Sequence, residues 1–260
     1  MDRSTLEAHL LTTRESVQRI QRRYVELFHD CAPVIDLGCG PGYFLELLRT
    51  AGIAARGVDA DAAQVAAAAA EGLAVEGADL LEFMQAAAPA SAGGVFCAHV
   101  VEHLPASGAE RLVAGCHRLL APGGTIVLVT PNSRALYSHL EYFHAHPGHV
   151  RFYHPDLLSH MLLSVGFRIA GIGENPPGQP FFGDRLPRIR QLAEELGRPR
   201  PMAGVAGPGG LRRAIRRRVL AWVAPWIDQL SLEIAEVGTF AADVAERLDR
   251  PPEVYVIGKK

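Results

Sequence analysis

Between residues 33 and 131 short apolar runs alternate with helix-like runs, and this alternation limits the possible folds more than any other feature. "PVIDLG" reads as a buried strand and "YFLELLRTAG" as a helix stopped by Gly52; "AARGVDA" and "AAQVAAAAAEG", then "LAVEGAD" and "LLEFMQAAA", repeat the pair. "GGVFCAHVV", the helix "GAERLVAGCHRLLAPGG" and the strand "TIVLVTP" complete the series. Strands joined by single helices need right-handed crossovers, which predicts a parallel sheet covered on both faces, an α/β fold. Ahead of the series, leucines and isoleucines at helical intervals predict one or two amphipathic helices ending near Phe28. Behind it, "HPDLLSHMLLSVGF" reads as a helix, "RIAGIGENP" as a strand and "PPEVYVIGKK" as a last strand. A strand after so long a helical stretch implies an insertion in the final hairpin. The expected organisation is therefore N-terminal helices over 1–30, an α/β domain over 31–174 plus 251–260, and a helical insertion over 175–250.

Bulk properties exclude several classes. A formal net charge of −2 gives no reason to expect nucleic acid. Cys31, Cys39, Cys97 and Cys116 lack CxxC spacing, so neither a zinc knuckle nor a disulfide framework is expected. The charged opening "MDRSTLEAHLLTTRESVQRIQRRY" has no apolar secretion core, and no window of about 18 apolar residues suggests a span. The expected setting is cytoplasmic.

The first strand runs into "DLGCGPGYF", where three glycines crowd the turn into a helix. Without a Cβ, their backbone can approach a ligand closely. The dinucleotide fingerprint G-x-G-x-x-G is not met, because Gly38, Gly40 and Gly42 are followed by Tyr43 where a third spaced glycine belongs. S-adenosylmethionine fits better. Asp36 can fix the loop or attract an ammonium, and Asp59, at the end of the second strand, can accept both ribose hydroxyls. Asp79 can accept from the adenine amino group and Leu80 can supply an apolar wall. Cys39, Ala60 and His99 complete the expected cofactor contacts. Each acid taken alone could be an ordinary turn or cap residue, but three in order beside one glycine loop argue for a donor cradle.

At these residues the chain resembles the class I methyltransferases: "VIDLGCGPG", "GVDAD", "GAD", "HVVEHL" and "LAPGGTIVLVTPN" look like their successive strand-end motifs. The resemblance implies a seven-stranded Rossmann-like sheet of order 3-2-1-4-5-7-6 with the last strand antiparallel, and an enzyme that uses S-adenosyl-L-methionine. A narrower likeness, in "RRYVELF", "TPNS" and "HAHPGHVRFYHPDLL", is to methyltransferase domains of bacterial surface-polysaccharide (O-antigen) assembly. Those often carry "DPTHVRP"; here His146 and Gly148 replace the acid and the threonine. The implied acceptor is a glycan or sugar phosphate. A small quinone-precursor or natural-product hydroxyl, or donor binding without turnover, are the alternatives.

Methyl transfer to a hydroxyl needs a base near neutral pH, and histidine titrates there. His103, beside Glu102 at the fourth strand's end, and His149 are the catalytic candidates. Arg151 and His154 are acceptor-binding candidates. Six histidines fall between His139 and His160, but the spacing H-x-H-x₂-H-x₄-H fits no familiar zinc pattern, so an acceptor pocket without metal is expected. Arg22 and Arg23 could reach the donor's carboxylate or simply face solvent. In the insertion, "LRRAIRRRVLAWVAPWI" sets five arginines beside Trp222 and Trp226, with a kink expected at Pro225. Residues 211–247 could lie on an anionic membrane or face a partner protein or a second copy; the acidic, apolar "LSLEIAEVGTF" that follows favours packing.

Overall fold

The structure, a computed structural model, describes residues 13–136, 138–139, 143–144, 146–175, 191, 195, 226, 229, 232–233, 236–247 and 250–260. The chain divides into two compact units, Met1–Gly178 with Pro251–Lys260, and Gln179–Arg250.

Among the described residues the first unit begins with α1 (Arg14–Val25), whose cap Thr13 accepts from the Ser16 amide, and a 3₁₀ turn over Glu26–Phe28. Then follow β1 (Val34–Leu37), α2 (Tyr43–Thr50), β2 (Ala55–Asp59), α3 (Ala62–Ala70), β3 (Val75–Gly77), α4 (Leu80–Ala86) and β4 (Ala92–Ala98). A 3₁₀ turn (Val101–His103), α5 (Ala106–Leu119), β5 (Leu120–Pro131), α6 (Pro155–Ser164), β6 (Arg168–Glu174) and β7 (Glu253–Lys259) complete the order.

The seven strands form one sheet in the order β3-β2-β1-β4-β5-β7-β6, parallel except for β7, which runs antiparallel to both neighbours. Alternate residues feed the two faces, as the two-residue period of a strand requires. Val34, Phe96, Val127 and Val129 join Tyr24, Phe28, Phe44 and Leu48 under α1 and α2. Ile35, Leu37, Val95, Cys97, Ile126 and Leu128 join Leu112, Cys116, Leu158 and Leu162 under α5 and α6. Each such side chain, fully buried, contributes about 1.5–3 kcal/mol. All four cysteines are free and buried.

Two boundaries differ from the sequence expectation. β4 ends at Ala98 rather than continuing through Val101, because His99 turns the backbone to φ +56° and the next residues coil into the 3₁₀ turn. β5 begins at Leu120 rather than Thr125, with Leu120 opposite Ala92 and a register shift before Gly94. The proline–glycine segment is therefore part of β5, with the Gly123 amide bonded to the Lys260 carbonyl at 2.9 Å, and the helix ends before it at Leu119.

In the second unit the described residues 236–247 are helical, with Ala242 and Ala245 buried and an Arg247–Asp243 ion pair at 2.9 Å. Trp226, Leu232, Val237 and Phe240 are exposed. Gln191 and Glu195 are helical and bond side chain to side chain at 2.8 Å. The arginines of 212–218, Trp222 and the expected kink at Pro225 lie outside the described residues. Among the described residues no helix is long and apolar enough to cross a membrane.

Sheet and loops meet with little clearance at Gly93, where an added Cβ would lie 2.4 Å from the Cys31 carbonyl oxygen. Backbone cannot swing aside as a side-chain tip can. Gly93→Ala is expected to destabilise the protein by about 1–3 kcal/mol, read as a lowered urea midpoint; an unchanged midpoint would refute this contact.

Candidate functional site

The strand order reverses between β1 and β4, and open α/β sheets bind ligands in the crevice outside the carboxyl ends at such a point. Gly38, Gly40 and Gly42 all adopt positive φ there, at +75°, +52° and +85°. A Cβ on Gly38 would strike Val100 Cγ2 at 2.3 Å, and one on Gly42 would strike Leu73 Cδ1 at 2.4 Å. At Gly40 it would meet no atom within 4 Å. The loop is thus packed tightly at both ends and open in its middle, as a cradle must be. Its contact with Val100 sets the end of β4 directly against it.

Asp59, buried at the tip of β2, fixes this loop. Its Oδ2 accepts from the Gly40 amide at 2.8 Å and its Oδ1 from the Asp61 amide at 2.9 Å. A carboxylate offers about four acceptor positions, so both oxygens retain capacity for a diol. Asp36 is buried beneath the loop; desolvation first, and then the neighbouring Asp59 charge, pushes its carboxyl up to about 8. Cys39 is buried too, its thiol pushed well up by desolvation and then by Asp36 and Asp59. Asp79 caps α4, its Oδ1 accepting from the Leu81 and Glu82 amides at 2.9 and 3.1 Å, with the half-buried Leu80 beside it. Ala60 is exposed between the Asp59 and Asp61 backbones.

At the end of β4 the structure gives His99 a task the sequence did not disclose. Its Nδ1 lies 3.2 Å from Glu102 Oε1 and its Nε2 lies 2.9 Å from Glu253 Oε1. Glu102 is fully buried and also accepts from Thr130 Oγ1 at 3.1 Å; Glu253 also accepts from Asn175 Nδ2 at 2.8 Å. Burial works to raise both carboxyls, but the contact with His99 outweighs it, and both are held below the ordinary range. Two ionised acceptors on the two ring nitrogens require both nitrogens to donate, so the geometry is that of an imidazolium clasped between carboxylates. This joins β4, β5 and β7. Arg23 extends it, donating to Asn175 Oδ1 at 3.3 Å and to the Tyr255 hydroxyl at 3.2 Å. Arg23 thus anchors α1 to the β6–β7 pair rather than turning to the crevice, while Arg22 is exposed.

Residues 148–151 are pinned to the same place, because the Val150 and Arg151 amides donate to the Glu102 carbonyl at 2.8 and 3.3 Å. That brings three histidines together. His103 Nδ1 lies 2.9 Å from the Gly148 carbonyl and His149 Nδ1 lies 2.7 Å from the Phe143 carbonyl. The His103 ring centroid is 5.0 Å from that of His146 and 4.9 Å from that of His149. Burial first, with His103 and His99 adding to it, holds the His149 imidazole below its ordinary value, which keeps it neutral and able to accept a proton at neutral pH. Phe143 lies against His149 and stacks on Phe152 at 3.8 Å, forming an aromatic wall.

The other expected acceptor residues, His154 and Arg151, make contacts of their own. His154 caps α6, its Nδ1 accepting from the Asp156 amide at 3.3 Å, and Arg134 reaches its Nε2 at 3.3 Å. Arg151 is exposed, with its guanidinium 4.9 Å above the Tyr153 ring. Glu253, Asn175 and Thr130 escaped the sequence reading. The one signal for Glu253 is an acid opening the otherwise apolar "EVYVIG".

A doubly wound sheet of this order, with a glycine cradle and a strand-end acid at the switch point, defines a class I methyltransferase. The methyltransferase-domain family model matches residues 12–170, and the chain belongs to that family. It is 30% identical over 232 residues to a protein of Mycolicibacterium smegmatis named "Probable S-adenosylmethionine-dependent methyltransferase", covering 87% of this chain and 80% of that protein. It is 29% identical over 167 residues to a ubiquinone biosynthesis O-methyltransferase of Burkholderia thailandensis, covering 57% of this chain and 71% of that one. Against its counterpart in Pseudomonas aeruginosa, identity is 33% over 104 residues, 38% of this chain and 44% of that protein. Among solved structures, an S-adenosylmethionine-dependent methyltransferase from Archaeoglobus fulgidus aligns over both whole chains with a TM-score of 0.70 at 24% identity, a likeness of fold. The protein is an enzyme of this class, and its donor is S-adenosylmethionine.

The clasp makes a prediction. His99→Ala leaves two buried carboxylates facing each other, which is expected to cost on the order of 3 kcal/mol near pH 7. In the parent, both folded-state carboxyls lie below their unfolded values, so their stabilisation is present above about pH 4.5 and is lost as pH falls through the folded values. The gap in melting temperature between parent and variant should therefore narrow as pH falls below about 4.5; a gap independent of pH would show that no ion pair is involved.

Proposed function

We propose that the chain is an O-methyltransferase that methylates a hydroxyl of a small planar acceptor. The observation that carries this is the histidine trio, fixed to Glu102 beside the strand whose end rests on the glycine loop. Bound S-adenosylmethionine supplies a methyl group activated by a sulfonium. Asp59, already oriented by the Gly40 and Asp61 amides, is the group to hold the ribose diol. The open middle of the Gly38–Gly42 loop suits the amino-acid end, with Cys39 lining it and Asp36 beneath. Asp79 and Leu80 would flank the adenine, and Ala60 and the backbone of His99 would border the same crevice. His103 and His149 are the catalytic residues of this reading, drawing the proton from the acceptor oxygen, a contribution of about 10²–10⁴-fold for such a group.

The stacked Phe143 and Phe152, with His149 against them, favour a flat acceptor, and the O-methyltransferases among the relatives support transfer to oxygen. Arg151, exposed over Tyr153, favours a second reading in which the acceptor is a glycan or sugar phosphate and the cation meets its anionic group; His154 would border that route. Residues 175–250 enter either reading as a helical insertion between β6 and β7 that packs against protein, a partner or a second copy, in preference to a membrane face.

Two measurements test this. Asp59→Ala should weaken adenosylhomocysteine binding more than tenfold by calorimetry, since it removes charged hydrogen bonds worth about 1.5–3 kcal/mol; unchanged affinity would refute the donor assignment. The full chain, given donor labelled in its methyl group, should label a catechol-type phenol as an alkali-stable ether. Label in sugar phosphate or surface carbohydrate would favour the second reading. Tight donor binding without any product would replace both with a scaffold.

A further inference from the structure

We propose that His103, His146 and His149 form a binding site for one divalent transition-metal ion of the zinc, cobalt and nickel type. The inference rests on the proposed acceptor-side role of this cluster and refines how the cluster acts. One ligand nitrogen from each ring lies within 4.8 Å of those of the other two. Metal–imidazole bonds of about 2.0–2.1 Å place such nitrogens roughly 3.4 Å apart around a tetrahedral ion, so each ring needs to move by only about an ångström. Two of the rings are already oriented as metal ligands are. A ligating imidazole characteristically donates its other N–H to a carbonyl or carboxylate, which fixes its tautomer. His103 Nδ1 faces the Gly148 carbonyl and His149 Nδ1 the Phe143 carbonyl, so Nε2 of each is the nitrogen left to ligate. His146 is the adaptable member: its Nδ1 accepts the Gly148 amide at 3.1 Å in an exposed contact that water can replace.

The surroundings agree. All three rings are half-buried, which limits competition by bulk water while leaving a way in. The Val150 and Arg151 amides donate to the Glu102 carbonyl, which holds the backbone beside His149 against the residue preceding His103. The ligand set is three neutral nitrogens with no carboxylate or thiolate, which suits zinc, cobalt or nickel over magnesium or calcium. Three protein ligands also leave a fourth position open, the arrangement of a catalytic rather than a structural site. With the ion bound, a hydroxyl oxygen in the open position would be made acidic and lose its proton to water, so the ion would take over the activation that His103 and His149 provide in its absence. A spacing argument along the chain does not reach such a site, because His103 lies 43 residues upstream of His146.

The test uses the full chain stripped with chelator and then titrated with Co²⁺ alone and Zn²⁺ alone. Expected are one ion per chain, visible cobalt absorption bands typical of tetrahedral or five-coordinate nitrogen ligation, and displacement of cobalt by zinc. His146→Ala and His149→Ala should each weaken binding at least tenfold, whereas His160→Gln, outside the cluster, should leave it unchanged. Adenosylhomocysteine affinity measured on the same samples separates this inference from the donor reading, because it should survive in all three variants. Absence of cobalt uptake, or uptake that persists in both His146→Ala and His149→Ala, would overturn the metal site. Loss of donor binding in the parent would instead overturn the underlying functional reading. Thermal melts identify any variant that fails to fold, in which case His146→Gln and His149→Gln take its place.

Discussion

Glu102 and Glu253 come from strand ends far apart in the chain, and both are buried at the rim of one sheet. Without a cation between them they would repel each other in a medium that screens poorly. His99 supplies that cation, and for this it accepts a left-handed backbone conformation unusual for a side-chain-bearing residue. The turn ends β4 early, starts the 3₁₀ segment that carries Glu102 and His103, and so decides where the acceptor side of the crevice stands. The Glu102 carbonyl then gathers residues 148–151. The clasp is thus the joint between the sheet and the groups that would handle an acceptor.

The donor side depends on different physics. There the requirement is close approach, met by glycines whose packed neighbours leave no room for a Cβ at Gly38 and Gly42, and by a carboxylate that Asp59 offers after bonding two loop amides. Asp36, held protonated up to about pH 8 under the same loop, avoids setting a second negative charge beside Asp59. Cradle and clasp meet at Val100, which packs on Gly38 one residue after His99. A displacement of either would be felt by the other.

Much of this was legible in the sequence, and the part that was not has a common cause. Strand and helix positions follow from local periodicity, and the glycine loop with Asp36, Asp59 and Asp79 follows from a fixed order along the chain. The strand order came from family resemblance, since periodicity cannot say which strands are neighbours. The clasp was hidden because its two carboxylates are 151 residues apart and no local pattern marks Glu253 as the partner of His99. The partners of Arg23 and His154 were hidden for the same reason: each makes a contact with residues well separated along the chain, Asn175 and Tyr255 in one case and Arg134 in the other. The boundary errors at β4 and β5 arose where a backbone turn and a register shift overrode hydrophobic runs that continue past them.

The antiparallel pairing of β6 with β7 carries a last implication. The chain leaves the sheet at Asn175 and comes back at Glu253, and these two residues are joined by a backbone hydrogen bond of 3.0 Å. The entry and exit of the long excursion are therefore neighbours, as in an ordinary hairpin. Whatever lies between them can be lengthened, shortened or exchanged for a foreign module without altering the register that holds the catalytic layer. The fold offers a socket at this corner, so a related chain could change its associations while keeping its chemistry.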